Sequence, residues 1–345
     1  MSSLIKNLRI QNFKSVKDLS LDCERINVFI GKPNAGKSNI LEAVSLLGVN
    51  YEDGFPHKFL EEIVRYKSLS HLFTNFNFRK PININADNEA IATLELDVSG
   101  DHDYLFTNGY LIKSSNGSDK DHAAMYRLVF NLNIDGTVKG KSTKESKFRL
   151  SPVKRYEFRG LLETNKNGFH LEPPHGDNFY SIIESHPDLR DEIKKFLQPN
   201  GLELLLDIDR QIMTVVQRTD DSLISFPLVL IPDTFQRYIF HLAAIKSNRD
   251  SVLLFEEPES HSYGPYIYQL AQDIIDDEGG NQFFLTTHNP YFLLPLMQEG
   301  KDVAVFTTWF ENYETHAKRL SEEEVREILD YGIDLFLNLD HFIPA

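Results

Sequence analysis

The chain has 345 residues, with 36 Lys and Arg against 51 Asp and Glu, a net charge of −15. Apolar residues make up 41% and charged ones 25%, which excludes disordered and fibrous classes and leaves one large α/β domain with insertions or two domains sharing a core. The acidic balance argues against a surface generally adhesive to nucleic acid, lone Cys23 excludes an intramolecular disulfide framework and a cysteine zinc site, and no signal segment or membrane-length run appears, so a cytoplasmic protein without a membrane partner is expected.

Leu4 to Ile10 alternates like a half-buried strand, Ser15 to Leu21 reads as its hairpin partner, and Arg25 to Ile30 reads as a buried strand. Next comes Gly31-Lys32-Pro33-Asn34-Ala35-Gly36-Lys37-Ser38-Asn39, which fits the phosphate-loop pattern G-x-x-x-x-G-K-[ST]. Its glycines let backbone N–H groups converge on an anion, the lysine reaches terminal phosphates and the hydroxyl holds Mg²⁺. Such a loop follows a strand and opens a helix, and Ile40, Leu41, Val44 and Leu47 supply the helical stripe. Gly31, Asn34, Ala35, Gly36, Lys37, Ser38 and Asn39 are therefore the expected nucleotide-binding residues, with Ser38 on the metal.

Phe55, Leu60, Ile63 and Val64 suggest a helix within Tyr51 to Leu72. Strand signals follow at Ile82 to Ile84, Ala90 to Val98, Tyr104 to Ile112 and Met125 to Ile134, a β-rich insertion with hairpin tips at Asn116 to Asp121 and Asp135-Gly136. Lys139, Lys141, Lys144, Lys147, Arg149, Lys154, Arg155 and Arg159 form the one basic concentration. It reads as a solvated hairpin, or as a contact for nucleic acid or an acidic partner. Phe179 to Glu184 reads as a short helix capped by Asp177 or Asn178, and His175, alone beside two prolines, as a loop residue. Leu189 to Leu197 is an amphipathic helix. A strand meander follows over Leu202 to Ile208, Gln211 to Gln217 and Leu223 to Leu230, where Asp207 and Asp209 read as solvated turn acids.

A helix from Thr234 to Lys246 leads into Ser251-Val252-Leu253-Leu254-Phe255-Glu256-Glu257, an apolar strand ending in two carboxylates. Strands apolar on both faces belong to parallel sheets, and ligands sit at their carboxyl ends. A helix over Tyr266 to Ile274 and a strand Gln282 to Leu285 follow, ending at Thr286-Thr287-His288-Asn289-Pro290. Nucleoside triphosphate hydrolysis needs a metal site, a group that orients water and a sensor of the terminal phosphate. Ser38 with Glu256 supplies the first, Glu257 the second and His288 the third, with Lys37 on the phosphates. No N-K-x-D segment for reading guanine is present, so ATP with Mg²⁺ is the expected nucleotide.

Ile10-Gln11-Asn12-Phe13-Lys14-Ser15, the loop ending in Lys37-Ser38-Asn39, Phe255-Glu256-Glu257-Pro258-Glu259 and Thr287-His288-Asn289-Pro290 together resemble the RecF/SMC/OLD branch of ABC-type ATPases. The resemblance implies an α/β ABC-type P-loop ATPase head with a mixed β-sheet core. Residues 1–50 and 228–345 would form the core, the latter with an apolar tail at 311–345, and residues 51–227 an inserted β-rich and helical region, part of it packed on the core. It adds Lys14 to the nucleotide-binding residues, and it implies an ATP sandwich in which the P-loop of one head meets a signature segment of another. That segment falls at Asp233, Thr234, Gln236 and Arg237, with Pro232 near the place of the family's serine. Glu256 stands where the family commonly has Asp, Pro33 removes one loop N–H, and Asn75 and Asn77 are the candidates for the glutamine-loop position. Slow turnover is consistent with these departures. The segment after His288 is too short for the nuclease domain of OLD proteins. It reads as a strand, a helix with the capping box Ser321-Glu322-Glu323-Glu324, and an apolar tail that packs on the core or docks a partner. The expected function is a homo-oligomeric ATP switch controlling a separate effector protein, in bacterial antiphage defence or a toxin-like pair. The alternatives are a RecF-like DNA clamp and an ATP-binding scaffold without hydrolysis.

Overall fold

In a computed structural model, the described residues are 5–49, 58–87, 89–97, 103–112, 124–144, 151–161 and 166–344. Strands β1 (Asn7–Phe13) and β2 (Val16–Asp22) form a hairpin whose alternating residues Leu8, Ile10, Val16, Leu19 and Leu21 face inward. Strand β3 (Ile26–Gly31) is buried throughout and runs into the P-loop and helix α1 (Lys37–Ser45). The chain then returns to the hairpin. Strands β4 (Ile82–Ala86), β5 (Ala90–Leu96), β6 (Tyr104–Ile112), β7 (Ala124–Leu132) and β8 (Val138–Lys144) extend it into a seven-stranded antiparallel sheet ordered β2-β1-β4-β5-β6-β7-β8.

Strand β9 (Val153–Tyr156) joins the second, six-stranded sheet. Helices α2 (Phe179–Ser185) and α3 (Pro187–Leu197) follow, then the small meander β10 (Leu202–Asp207), β11 (Ile212–Arg218) and β12 (Leu223–Pro227). The remaining elements are α4 (Asp233–Ser247), β13 (Val252–Glu256), α5 (Gly264–Ile275), β14 (Gln282–Thr286), α6 (Pro290–Glu299), β15 (Val303–Glu311), β16 (Glu314–Arg319) and α7 (Glu322–Tyr331). The second sheet is ordered β16-β15-β3-β14-β13-β9, parallel except for β16, so β3, β14 and β13 lie side by side and point their carboxyl ends the same way.

One apolar core lies between the two sheets around α1, where Phe29 stacks on Phe306 with ring centroids 5.0 Å apart. The other covers the opposite face of the parallel sheet with α2 to α6 and the carboxyl-terminal segment, including Leu335, Leu339 and Phe342. Each fully buried Phe contributes about 1.5–3 kcal/mol. The tail therefore packs on the core through these residues, while Leu337 stays exposed.

Several local expectations are corrected. The stretch up to Leu72 is not an α-helix where it is described but short 3₁₀ turns at Phe59–Glu62 and Leu69–Leu72; Tyr51 and Phe55 lie outside the described residues. The tip at Asn116 to Asp121 also lies outside them. Residues 51–227 supply β4 to β8 to one sheet and β9 to the other. Lys154 and Arg155 are not solvated hairpin residues: they sit on β9, both buried, and burial pushes the Lys154 ammonium down to about 8. Lys147 and Arg149 lie outside the described residues. Asn178 precedes α2 but does not cap it, its side chain bonding Glu172 N (2.7 Å) and His170 O (2.8 Å) instead. The Ser321 and Glu324 capping box is formed as read.

Candidate nucleotide site

Close packing dictates both glycines of the P-loop. A Cβ on Gly31 would stand 2.3 Å from Thr308 O of β15, and one on Gly36 would stand 1.9 Å from Thr315 Oγ1 of β16. Gly36 has φ +92° and Asn34 φ +63°, left-handed conformations that turn successive N–H groups toward one point. Lys37 is buried, and its Nζ donates to Gly31 O (3.0 Å) and Lys32 O (3.1 Å) across the mouth of the loop. Burial lowers the affinity of this amine for its proton, while Glu257 and Glu256 act in the opposite direction. Asn39 donates to Ser15 Oγ (2.7 Å), which also meets Thr315 Oγ1 (2.6 Å), so the β1–β2 and β15–β16 hairpins brace the loop. Lys32 Nζ reaches Asp340 of the carboxyl-terminal segment at 2.6 Å, beside a cleft of about 440 Å³ lined by Asn34, Trp309, Phe310 and Ile343.

The parallel sheet brings the distant chemistry to this loop. Ser38 Oγ hydrogen-bonds Glu256 Oε1 at the end of β13. A hydroxyl and a carboxylate converging there are hard oxygen donors that would suit Mg²⁺. Among the described residues no group of three or more His, Cys, Asp or Glu is placed to hold a metal ion by itself. Glu257 follows in a left-handed conformation, φ +45°, its N–H donating to Thr286 O and Thr286 Oγ1 of β14, each at 3.1 Å. His288 Nε2 stands 3.6 Å from Glu257 Oε1. Burial and then the Lys37 charge depress the His288 pKa, so the ring is neutral at neutral pH.

A charged network behind this pair was not read from the sequence. Arg155 Nη2 donates to Glu256 Oε2 at 2.7 Å and its Nη1 to Ile63 O at 2.6 Å. Arg65 donates through Nε to the fully buried Glu42 at 2.6 Å and reaches Glu256 Oε1 at 3.4 Å. Lys14, expected among the nucleotide-binding residues, is paired with Glu42 of α1. Sequence signals for Glu42, Arg65 and Arg155 were weak, because each partner lies 23 or more positions away.

The signature-like residues make local bonds. Asp233 pairs with Arg237 (2.6 Å), whose guanidinium lies over the Phe158 ring at 4.7 Å. Gln236 donates to Val229 O (2.8 Å) and Ile231 O (2.9 Å), and Thr234 Oγ1 accepts from Tyr263 N (3.2 Å). Asn75 and Asn77 lie in the turn before β4, where Asn77 accepts from Asn12 and Arg79.

Comparison with known proteins bears on the family and the fold. Residues 26–294 match a family described as "AAA domain, putative AbiEii toxin, Type IV TA system". An "ATP/GTP phosphatase" of Helicobacter pylori is 22% identical, with 89% of this chain and 92% of that protein covered. An uncharacterised protein of Methanocaldococcus jannaschii, MJECL10, is 32% identical over 102 residues, covering 27% of this chain and 46% of that protein. A crystal structure of an Smc head bound to the C-winged helix domain of ScpA superposes with a TM-score of 0.51 at 13% identity, covering 93% of this chain and 99% of that one. The fold is therefore that of an ABC-type ATPase head, and the chain belongs to the AAA-domain family that carries the AbiEii description.

Proposed function

We propose that this protein binds ATP with Mg²⁺ and hydrolyses it to ADP and phosphate. The observation that carries the reading is the convergence of Lys37, Ser38, Glu256, Glu257 and His288 from β3–α1, β13 and β14 at one end of a parallel sheet. Bound Mg²⁺ would neutralise charge on the terminal phosphates, held by Ser38 directly and by Glu256 through water. Lys37 leaves its loop carbonyls for the phosphate oxygens, Glu257 takes a proton from the attacking water, and neutral His288 donates a hydrogen bond to the terminal phosphate. The arginine pair on Glu256 holds that carboxylate aimed at Ser38.

The molecule would work as an ATP-dependent homodimer or higher oligomer, an OLD-like head that controls a separate effector, in a cytoplasmic toxin-like pair or antiphage system. The family description and the head-like fold support that reading, with Asp233, Thr234, Gln236 and Arg237 at the start of α4 as the surface offered to the partner's nucleotide. Among the described residues no helix is long and apolar enough to cross a membrane. We do not extend the reading to nucleic acid, since in the basic segment Lys154 and Arg155 are buried and Lys139 and Arg159 pair with Asp103 and Glu157.

Phosphate release by wild type, Lys37→Ala and Glu257→Gln tests the enzyme claim. Turnover should vanish in the first variant with loss of ATP binding, and fall by ~10²-fold or more in the second with binding retained. Equal rates in all three would refute it, and tight ATP binding with no release in wild type would select the scaffold instead.

A further inference from the structure

A third carboxylate stands behind the reacting pair. Glu259, in the turn after β13, is only 4% exposed. Its Oε1 accepts from Thr287 Oγ1 at 2.5 Å and from His288 N at 3.3 Å, while its Oε2 is buried with no hydrogen-bond partner among the described residues. Fully buried Thr287 continues the chain, its Oγ1 accepting from Asn289 N at 2.9 Å and its own N–H donating to Phe29 O of β3 at 3.3 Å. The turn itself is closed by Ser260 N on Glu257 O at 3.0 Å, with Ser260 Oγ on Glu257 Oε2 at 3.2 Å. Thus one side chain ties the segment that carries His288 to the turn that carries Glu257.

A buried carboxyl with an orphaned oxygen and no cation paired to it among the described residues is an expensive way to make hydrogen bonds that a hydroxyl could make. Burial pushes its pKa up to about 7, opposed by the hydrogen bond from Thr287. Its reach is what a shorter residue lacks: the carboxyl spans from one strand end to the next and holds both loops in register.

We propose that Glu259 is a positioning residue for ATP hydrolysis, fixing the Thr287–His288 segment against the Glu257 turn so that the His288 ring and the Glu257 carboxylate face the same phosphate. The inference rests on the ATPase reading above. Glu259 touches neither Lys37 nor Ser38 in any hydrogen bond of the described residues, so nucleotide affinity is set elsewhere. Loss of the tie acts on the chemical step.

The test is steady-state ATP hydrolysis by the full chain, with kcat and KM separated and normalised to sites that bind a fluorescent ATP analogue. Glu259→Ala should lower kcat by ~10-fold or more with KM within ~2-fold, since a misplacement on the order of 1 Å costs that much. Glu259→Gln keeps the acceptor oxygen and should stay within ~3-fold of wild type, a rescue that charge loss alone would not allow. Near-isosteric Thr287→Val removes the donor and should match Glu259→Ala, so the proposal stays testable even if the alanine variant folds poorly. Wild-type turnover no higher than that of Lys37→Ala would remove the ATPase reading and this proposal with it. Wild-type turnover above that background, with Glu259→Ala and Thr287→Val both retaining wild-type kcat per binding site, would overturn the positioning role alone. So would a Glu259→Gln variant as slow as Glu259→Ala.

Discussion

Replacing Arg155 with Met asks how much the network behind the site holds the fold together and how it tunes the metal. The Arg155 side chain is 7% exposed and donates to Glu256 Oε2 at 2.7 Å and to Ile63 O at 2.6 Å. Hydrogen bonds to charged groups contribute about 1.5–3 kcal/mol, and breaking a fully buried pair costs about 3–5 kcal/mol. The Glu256 side chain, however, is 24% exposed and keeps Ser38 and Arg65, so water and these neighbours relieve part of the loss. Arg155→Met should therefore cost about 2–3 kcal/mol in urea unfolding, with the denaturant slope unchanged. Combined with Glu256→Gln, which removes the charge and keeps the shape, the double variant should fall short of additivity by about 1–2 kcal/mol. Coupling below about 0.5 kcal/mol would refute the claim that this arginine and this carboxylate hold one another. The same variant carries a functional readout. A guanidinium and a metal compete for the Glu256 oxygens, so hydrolysis by Arg155→Met should reach half-maximum at a lower Mg²⁺ concentration than in wild type. An unchanged midpoint would show that the two do not compete.

Gly36→Ala places a Cβ 1.9 Å from Thr315 Oγ1 in a residue at φ +92°, so it should abolish ATP-analogue binding by fluorescence titration and lower Tm. Gly332→Ala, also left-handed but with open space around it, should leave binding intact. His241 is buried on α4 with Nδ1 on Arg237 O at 2.8 Å, and burial, with the Arg237 charge, pushes its pKa down to about 4. Its folded value lies below the unfolded value near 6.5. Its contribution, on the order of 3 kcal/mol, is therefore present above about pH 6.5 and is lost as pH falls toward 4. His241→Gln keeps an N–H donor without titrating and should flatten that part of the stability profile. Equal slopes in the two proteins between pH 4 and 6.5 would contradict the assignment.

The P-loop, the strand before it and the two strands that deliver Glu256, Glu257 and His288 were legible because their signals are local. A glycine pattern needs a strand on one side and a helix on the other, and an all-apolar run ending in carboxylates describes a central parallel strand within a few residues. Strand β9 was not legible for the opposite reason. Lys154 and Arg155 look solvated in a basic run, and only their partners, Asn248 and Glu256, 94 and 101 positions away, make burial tolerable. The 3₁₀ turns before β4 were misread as a helix because a short apolar spacing fits either shape until packing chooses. Lys14 shows the same division: its place beside the loop follows from the hairpin, but its charge answers to Glu42, which the fold buries. By itself, then, the sequence located the glycine loop and the strand ends that carry Glu256, Glu257 and His288, since those are set by residue type and near spacing. Tertiary structure alone decided which charges are paired, which strand closes the sheet edge beside β13, and that Glu259 rather than a residue of the P-loop ties Glu257 to His288. Long-range contacts bring those groups within hydrogen-bond distance, and no local pattern encodes such a distance.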